Sequence, residues 1–172
     1  MAYLLIDGYN LIGTAHGNLE EARNDLIKKL QTYSTSKKHD ITVVFDGWKD
    51  GQKDQTRIKS GHVTVIYSRL AETADTVIKR FLSSSAKPWI VISSDREIAD
   101  FAARKDFAAV TSGEFEEKLY SSLIGHDEGA HVKEKLDRFY ENQIQYYPVR
   151  HKGNPRKLSK RQKKKLQALK KL

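Results

Sequence analysis

The sequence predicts a doubly wound α/β fold, a mainly parallel sheet of about five strands flanked by helices, with a basic C-terminal extension. Short apolar runs rich in Val, Ile and aromatic residues recur at 3–6, 41–45, 63–67, 89–92 and 107–110, the pattern of strands buried on both faces. Helical periodicity fills most of the intervals, and strands alternating with helices build parallel sheets through crossover connections. Charge is segregated as well. Residues 142–172 hold 11 Lys and Arg and no Asp or Glu, whereas residues 1–141 carry 20 basic against 22 acidic side chains, so the net charge of +9 belongs to the C-terminal segment.

Each element has its own warrant. The first run leads into Asp7, Gly8 and Asn10, residues suited to a sharp turn. Residues 19–33 place Leu19, Ala22, Leu26, Leu30 and Tyr33 on one helical stripe. The second run ends in Asp46 and Gly47, and residues 47–61 read as a loop. After the third run, residues 73–82 repeat the helical spacing with Ala74, Val77, Ile78, Phe81 and Leu82. The fourth ends in Ser93, Ser94 and Asp95 before a helix at 98–103, with Ser94 and Glu97 in the spacing of a capping box. A helix at 115–124 follows the fifth run. Residues 132–144 form a further expected helix, with Val132, Leu136, Phe139, Tyr140 and Gln143 on its inner side. Pro148, Gly153 and Pro155 then break the chain. Residues 157–172 read as a disordered arm or as a helix that forms against a partner, with Leu166, Leu169 and Leu172 at helical spacing. The expected division is a domain at 1–125, a packed helix within 126–147 and a basic tail at 148–172.

Several function classes are excluded. The chain has no cysteine, which removes disulfides, thiolate zinc sites and cysteine nucleophiles. It has no P-loop, G-x-S-x-G elbow or G-x-G-x-x-G turn. His126 and His131 flank acids, but their spacing does not place both on one helix face, and a surface loop is expected. No leader-like N-terminus and no apolar stretch near the roughly 18 residues of a membrane span occurs. A soluble cytoplasmic protein without a membrane partner is expected.

The chemistry suggested is carboxylate chemistry. Asp7, Asp46 and Asp95 each end an apolar run, and in an open parallel sheet the carboxyl ends of the strands share one edge, where ligands bind. Glu72 and Asp75 flank the start of the helix that follows the third run. Clustered carboxylates repel, and a divalent cation keeps them ionised. Mg²⁺ or Mn²⁺ suits an all-oxygen site, where it can activate water and hold a phosphodiester oxygen in line. Each acid also has a local structural reading: turn formation for Asp7 and Asp46, helix capping for Asp95, and a helix-dipole contact for Asp75. Asn10 could orient Asp7 or a metal-bound water, or close an Asx turn. Asp100 reads as part of an exposed helical face.

Taken together, LLIDGYNLI, VVFDG, ETADTVI and VISSDREIADFA resemble the NYN domain family, a branch of the PIN-like nucleases, and in particular its bacterial YacP-type members, over roughly residues 3–124. The resemblance implies a PIN-like α/β fold and a metal-dependent endoribonuclease. It implies Asp7, Asp46, Asp75 and Asp95 as the metal-holding acidic cluster, with Asn10 beside it. It further implies single-stranded RNA, mRNA above all, as substrate and the ribosome as a partner. The basic C-terminus is not part of this pattern.

Basic residues supply the expected RNA contacts: Trp48, Lys49, Lys53, Arg57 and Lys59 beside Asp46, and Arg150, Lys152, Arg156, Lys157, Lys160 and Arg161 in the tail. Removing residues 150–172 is expected to flatten the salt dependence of RNA binding while leaving cleavage intact. A second reading is a non-catalytic RNA-binding or ribosome-associated module, although a pure binder gains nothing from concentrated acids. A phosphatase on a similar sheet would want a second Asp two positions after Asp7, where Tyr9 stands.

Overall fold

The computed structural model describes residues 1–13, 18–47, 55–123 and 158–172. β1 (Tyr3–Asp7) is followed by α1 (Gly8–Ile12), α2 (Leu19–Lys37), β2 (Asp40–Phe45), β3 (Thr56–Ser60) and β4 (Val63–Tyr67). Then come α3 (Ala74–Ser84), β5 (Trp89–Ile92), α4 (Arg96–Arg104), β6 (Ala108–Val110), α5 (Ser112–Leu123) and α6 (Lys160–Leu169). The six strands lie in the order β3-β4-β2-β1-β5-β6. All pair in parallel except β3, which runs antiparallel to β4 at the edge.

Alternate residues on each strand serve opposite cores, as the two-residue period of a strand requires. Leu4, Ile6, Val43, Phe45 and Ile92 join Leu26, Leu30, Tyr33, Phe115 and Leu119 on the face of α2 and α5. Leu5, Val44, Ile66 and Val91 join Val77, Ile78, Leu82, Ile98 and Ala102 beneath α3 and α4. The fold is the doubly wound sheet that the apolar runs predicted.

The chain winds outward from β1 through β2 to β4, then crosses back to place β5 on the other side of β1. The winding direction therefore reverses between β1 and β5. This is the switch point at which open α/β sheets form their ligand crevice, and Asp7 stands at its rim. The register places Asp7 opposite Val44, so Asp46 lies just beyond it on the same edge, and Ile6 opposite Ile92, so Ser93 and Asp95 follow there.

Two expectations change. Residues 47–61 are not all loop, since Thr56–Ser60 is the sixth strand. Its side chains from Arg57 onward are exposed, so it shows no apolar run; it is made by pairing with β4 across a turn at Gly61, whose φ of +60 suits glycine. The C-terminal segment is not a free arm either. α6 packs against β6, with Ala168 and Leu172 buried in the α2 and α5 core. Arg161 pairs with Asp100 at 2.6 Å and Lys165 with Glu114 at 2.7 Å. The expected helix at 132–144 and the divisions after 125 and 147 lie outside the described residues.

His39 fastens this C-terminal end. Its Nδ1 accepts the Ala2 N–H at 3.2 Å and its Nε2 faces the Lys171 carbonyl at 3.0 Å, which requires the neutral ring with the proton on Nε2. Tyr33 beside it donates its hydroxyl to the Leu172 carbonyl at 2.8 Å, and burial pushes that phenol up to about 12. Burial holds His39 below the ordinary histidine range, helped by the N-terminal ammonium and then Lys37, while the Lys171 carbonyl acts the other way. The folded state thus resists a proton that the unfolded chain accepts, so stability is full above pH 6.5 and declines as pH falls toward the lowered folded value. The protection of the Lys171 and Leu172 amides against hydrogen exchange, taken relative to the intrinsic rate at each pH, should fall between pH 7.5 and 5.5 in the wild type, and much less in His39→Gln.

Candidate active site

Three acids reach one edge because three strands end there; Asp7 and Asp95 each also cap a helix, and Asp46 accepts an N–H at the start of α3, whose cap is Thr73. Asp7 caps α1, its Oδ1 accepting the Asn10 N–H at 3.2 Å. Asp46 Oδ1 accepts the Ala74 N–H at the start of α3. Asp95 caps α4, its Oδ1 accepting the N–H groups of Glu97 at 2.6 Å and Ile98 at 3.3 Å. The cap is therefore Asp95 and not Ser94, whose hydroxyl instead accepts the Ser112 N–H at 3.1 Å. Helix N-termini carry partial positive charge, so this edge offsets part of its own anionic charge.

The offset is incomplete at Asp7. Burial raises its carboxyl above the usual carboxylate range, and the charges of Asp46 and Asp95 raise it further. The Asn10 N–H and the Ser93 hydroxyl act in the opposite direction. Asp46 and Asp95 are thus each within electrostatic range of Asp7. Asp75 stands apart: its Oδ2 is ion-paired with Lys79 at 2.8 Å, and Lys79 also reaches Glu97. Its Oδ1 is buried and takes no hydrogen bond. Among the described residues, no three Asp, Glu or His stand close enough to hold a metal ion as they are.

Asn10 is a hub. Its Oδ1 accepts the Ser94 N–H at 2.9 Å and the Ser112 hydroxyl at 2.8 Å, which fixes the amide and leaves its nitrogen as a donor. Ser93 links two acids, accepting the Asp95 N–H at 3.1 Å and approaching Asp7 Oδ2 at 3.4 Å. Ser93 and Ser112 escaped the sequence reading. The Ser-Ser-Asp run was the available signal for Ser93, but Ser112 meets Asn10 only in three dimensions. Glu72 is ion-paired with Arg80 and, at 3.5 Å, with Arg69, while its buried Oε2, like Asp75 Oδ1, takes no hydrogen bond.

The glycines after the first two aspartates owe their place to crowding. A Cβ on Gly8 would lie 2.2 Å from the Phe45 ring, and one on Gly47 would lie 1.8 Å from the Ser68 carbonyl oxygen. Gly47 also donates its N–H to the Ser68 hydroxyl at 3.0 Å. The acid edge is consequently tied to the end of β4.

Of the expected RNA contacts, Arg57 and Lys59 are exposed on β3. Lys160 and Arg161 face Asp106 and Asp100 of the body. Trp48, Lys49, Lys53, Arg150, Lys152, Arg156 and Lys157 lie outside the described residues. No helix among the described residues is long and apolar enough to cross a membrane.

Comparison with known proteins agrees with this geometry. A family model described as the YacP-like NYN domain matches residues 4–171, and so takes in α6, which the resemblance over residues 3–124 had left out. The uncharacterized protein YacP of Bacillus subtilis (strain 168) is 37% identical over a match covering 46% of this chain and 51% of that protein, about half its length. Two crystal structures of Rae1 (YacP) from Bacillus subtilis, one of a mutant, superpose with a TM-score of 0.57 each. They are 22% and 23% identical and cover 86% and 84% of both chains, a likeness of fold. With its sheet order, its strand-end acids and a family match spanning nearly its whole length, the chain belongs to the YacP-like NYN domain family of PIN-like nucleases.

Proposed function

We propose that this protein is a Mg²⁺- or Mn²⁺-dependent endoribonuclease that hydrolyses phosphodiester bonds of single-stranded RNA. The observation that carries the reading is Asp7 at the switch point of the sheet, its carboxyl raised by burial first and then by the charges of Asp46 and Asp95. A pocket in which burial and neighbouring charges push one acid toward protonation gains most from a bound cation. The donors fit a hard ion: they are all oxygens, and the buried Asp75 Oδ1 lacks a hydrogen bond. Asp7, Asp46, Asp75 and Asp95 would hold it, with Asp75 released from Lys79. When bound, such an ion supplies charge stabilisation at the phosphoryl oxygens and a more acidic water.

The chain's own residues do the rest. The Asn10 N–H and the Ser93 hydroxyl hold the Asp7 carboxylate in place. The Asn10 amide nitrogen, aimed by Ser94 and Ser112, is the donor for a phosphoryl oxygen or the attacking water. The N-termini of α3 and α4 bring partial positive charge to the edge where an RNA phosphate would sit. Cleavage of mRNA on the ribosome is the setting suggested by the YacP-type resemblance.

One observation favours the second reading, a non-catalytic RNA-binding module: no three acids among the described residues stand at metal-binding spacing. Incubation of end-labelled single-stranded RNA with Mn²⁺, with Mg²⁺ and with chelator separates the two. The nuclease reading expects internal cuts that need the cation. Binding without cuts under every condition supports the module, and cuts that persist in chelator place the chemistry elsewhere.

A further inference from the structure

We propose that the groove between the N-terminal part of α2 and the β3–β4 hairpin seats one unpaired base of the RNA, next to the phosphate at the acidic edge. The proposal deepens the nuclease reading and rests on it for the identity of the ligand. The groove has a volume of about 390 Å³, within the range of small-ligand sites and large enough for a nucleoside. Arg23 and Asn24 of α2 line one side and Thr56, Ile58 and Tyr67 of the hairpin the other, and Gly47 forms its inner end. Gly47 directly follows Asp46, so the groove opens beside the candidate acids.

Two planar groups of its wall, Arg23 and Tyr67, are backed by further rings behind the lining. The Arg23 guanidinium lies 5.7 Å from the Tyr67 ring centroid. Tyr67 stacks on Phe45 at 5.7 Å with 24° between planes, and Phe45 meets Tyr9 edge-on at 5.4 Å. The Tyr9 hydroxyl reaches the Asp46 carbonyl at 3.4 Å, which joins the stack to the acid edge. Unpaired RNA bases stack on guanidinium and aromatic planes, and planes already held in position lose little freedom on binding. Arg23, 8% exposed, and Glu20 both line the groove, which therefore carries charges of both signs. Ile58, 53% exposed on an edge strand, offers an apolar contact at the mouth. The Asn24 amide offers a donor and an acceptor to a base edge. Arg57 and Lys59 flank Ile58 in β3 and point to the opposite side of the strand.

The test uses full-length protein carrying Asp7→Asn in chelator, so that cutting plays no part. The probe is a fluorescein-labelled six-nucleotide RNA containing 4-thiouridine. Ile58→Glu should weaken binding about tenfold and Asn24→Ala about threefold, both being exposed positions where folding is not at risk. Lys105→Glu, before β6 at the opposite sheet edge, should change it less than twofold. Irradiation should attach the RNA to the segments 20–28 or 56–69, which carry the lining. Unchanged affinity in Ile58→Glu, or adducts only outside those segments, would overturn the proposal. If the RNA binds with this pattern but the wild type never cuts it with Mn²⁺, the groove stands and the nuclease reading fails.

Discussion

Asp7→Asn should abolish cation-dependent RNA cleavage, by on the order of 10³-fold, while making the chelator-treated protein more stable. The activity loss follows from the loss of the central carboxylate of the acid edge. The stability gain follows from the sign of its titration. Burial and then the charges of Asp46 and Asp95 raise the Asp7 carboxyl in the folded state, so the fold binds this proton more tightly than the unfolded chain does. The resulting penalty is absent below pH 3.8, grows as pH rises through the raised folded value, and is complete at neutral pH. Asn carries no charge and keeps an oxygen for the Asn10 N–H. A gain of about 1 kcal/mol, or a few degrees in Tm, is the size usual when a functional site is relieved of strain. Thermal unfolding in chelator measures it. A destabilised variant would mean that Asp7 serves chiefly as the cap of α1.

Deleting residues 158–172 should cost about 4–6 kcal/mol of folding stability. Leu172 and Ala168 are 6% and 3% exposed, and their burial contributes about 1.5–3 and roughly 1 kcal/mol. Tyr33 and His39 would each lose a carbonyl acceptor while remaining in the core, at about 1 kcal/mol apiece. The solvent-accessible ion pairs between α6 and the body add little, so Arg161→Ala should leave stability nearly unchanged. Urea unfolding distinguishes the two variants. If the deletion unfolds at the same urea concentration as the full chain, α6 is an appendage after all.

The strands that bury both faces were legible because nothing but an apolar run survives there, and they brought the three strand-end acids with them. β3 was not, because an edge strand with Ile58 as its lone apolar residue has no such run and owes its existence to β4. The docking of α6 was hidden by its own charge. Its lysines and Arg161 resemble a nucleic-acid arm until Asp100, Asp106 and Glu114 are seen opposite them, and those partners come from α4, the turn after it and α5. The acids were visible one by one, but their uneven coupling was not. Asp75 could have been set apart from the sequence, since Lys79 stands four residues on in the same helix. The Asn10 hub could not, because Ser112 is 102 residues away in the chain.

The central claim is that Asp7, Asp46 and Asp95 form one anionic pocket built to bind a cation. Titration of Mn²⁺ followed by electron paramagnetic resonance tests it most directly, on the wild type and on Asp7→Asn. The account predicts saturable binding to the wild type that is lost or weakened at least tenfold in the variant. Equal binding by the two proteins, or none by the wild type, would contradict it.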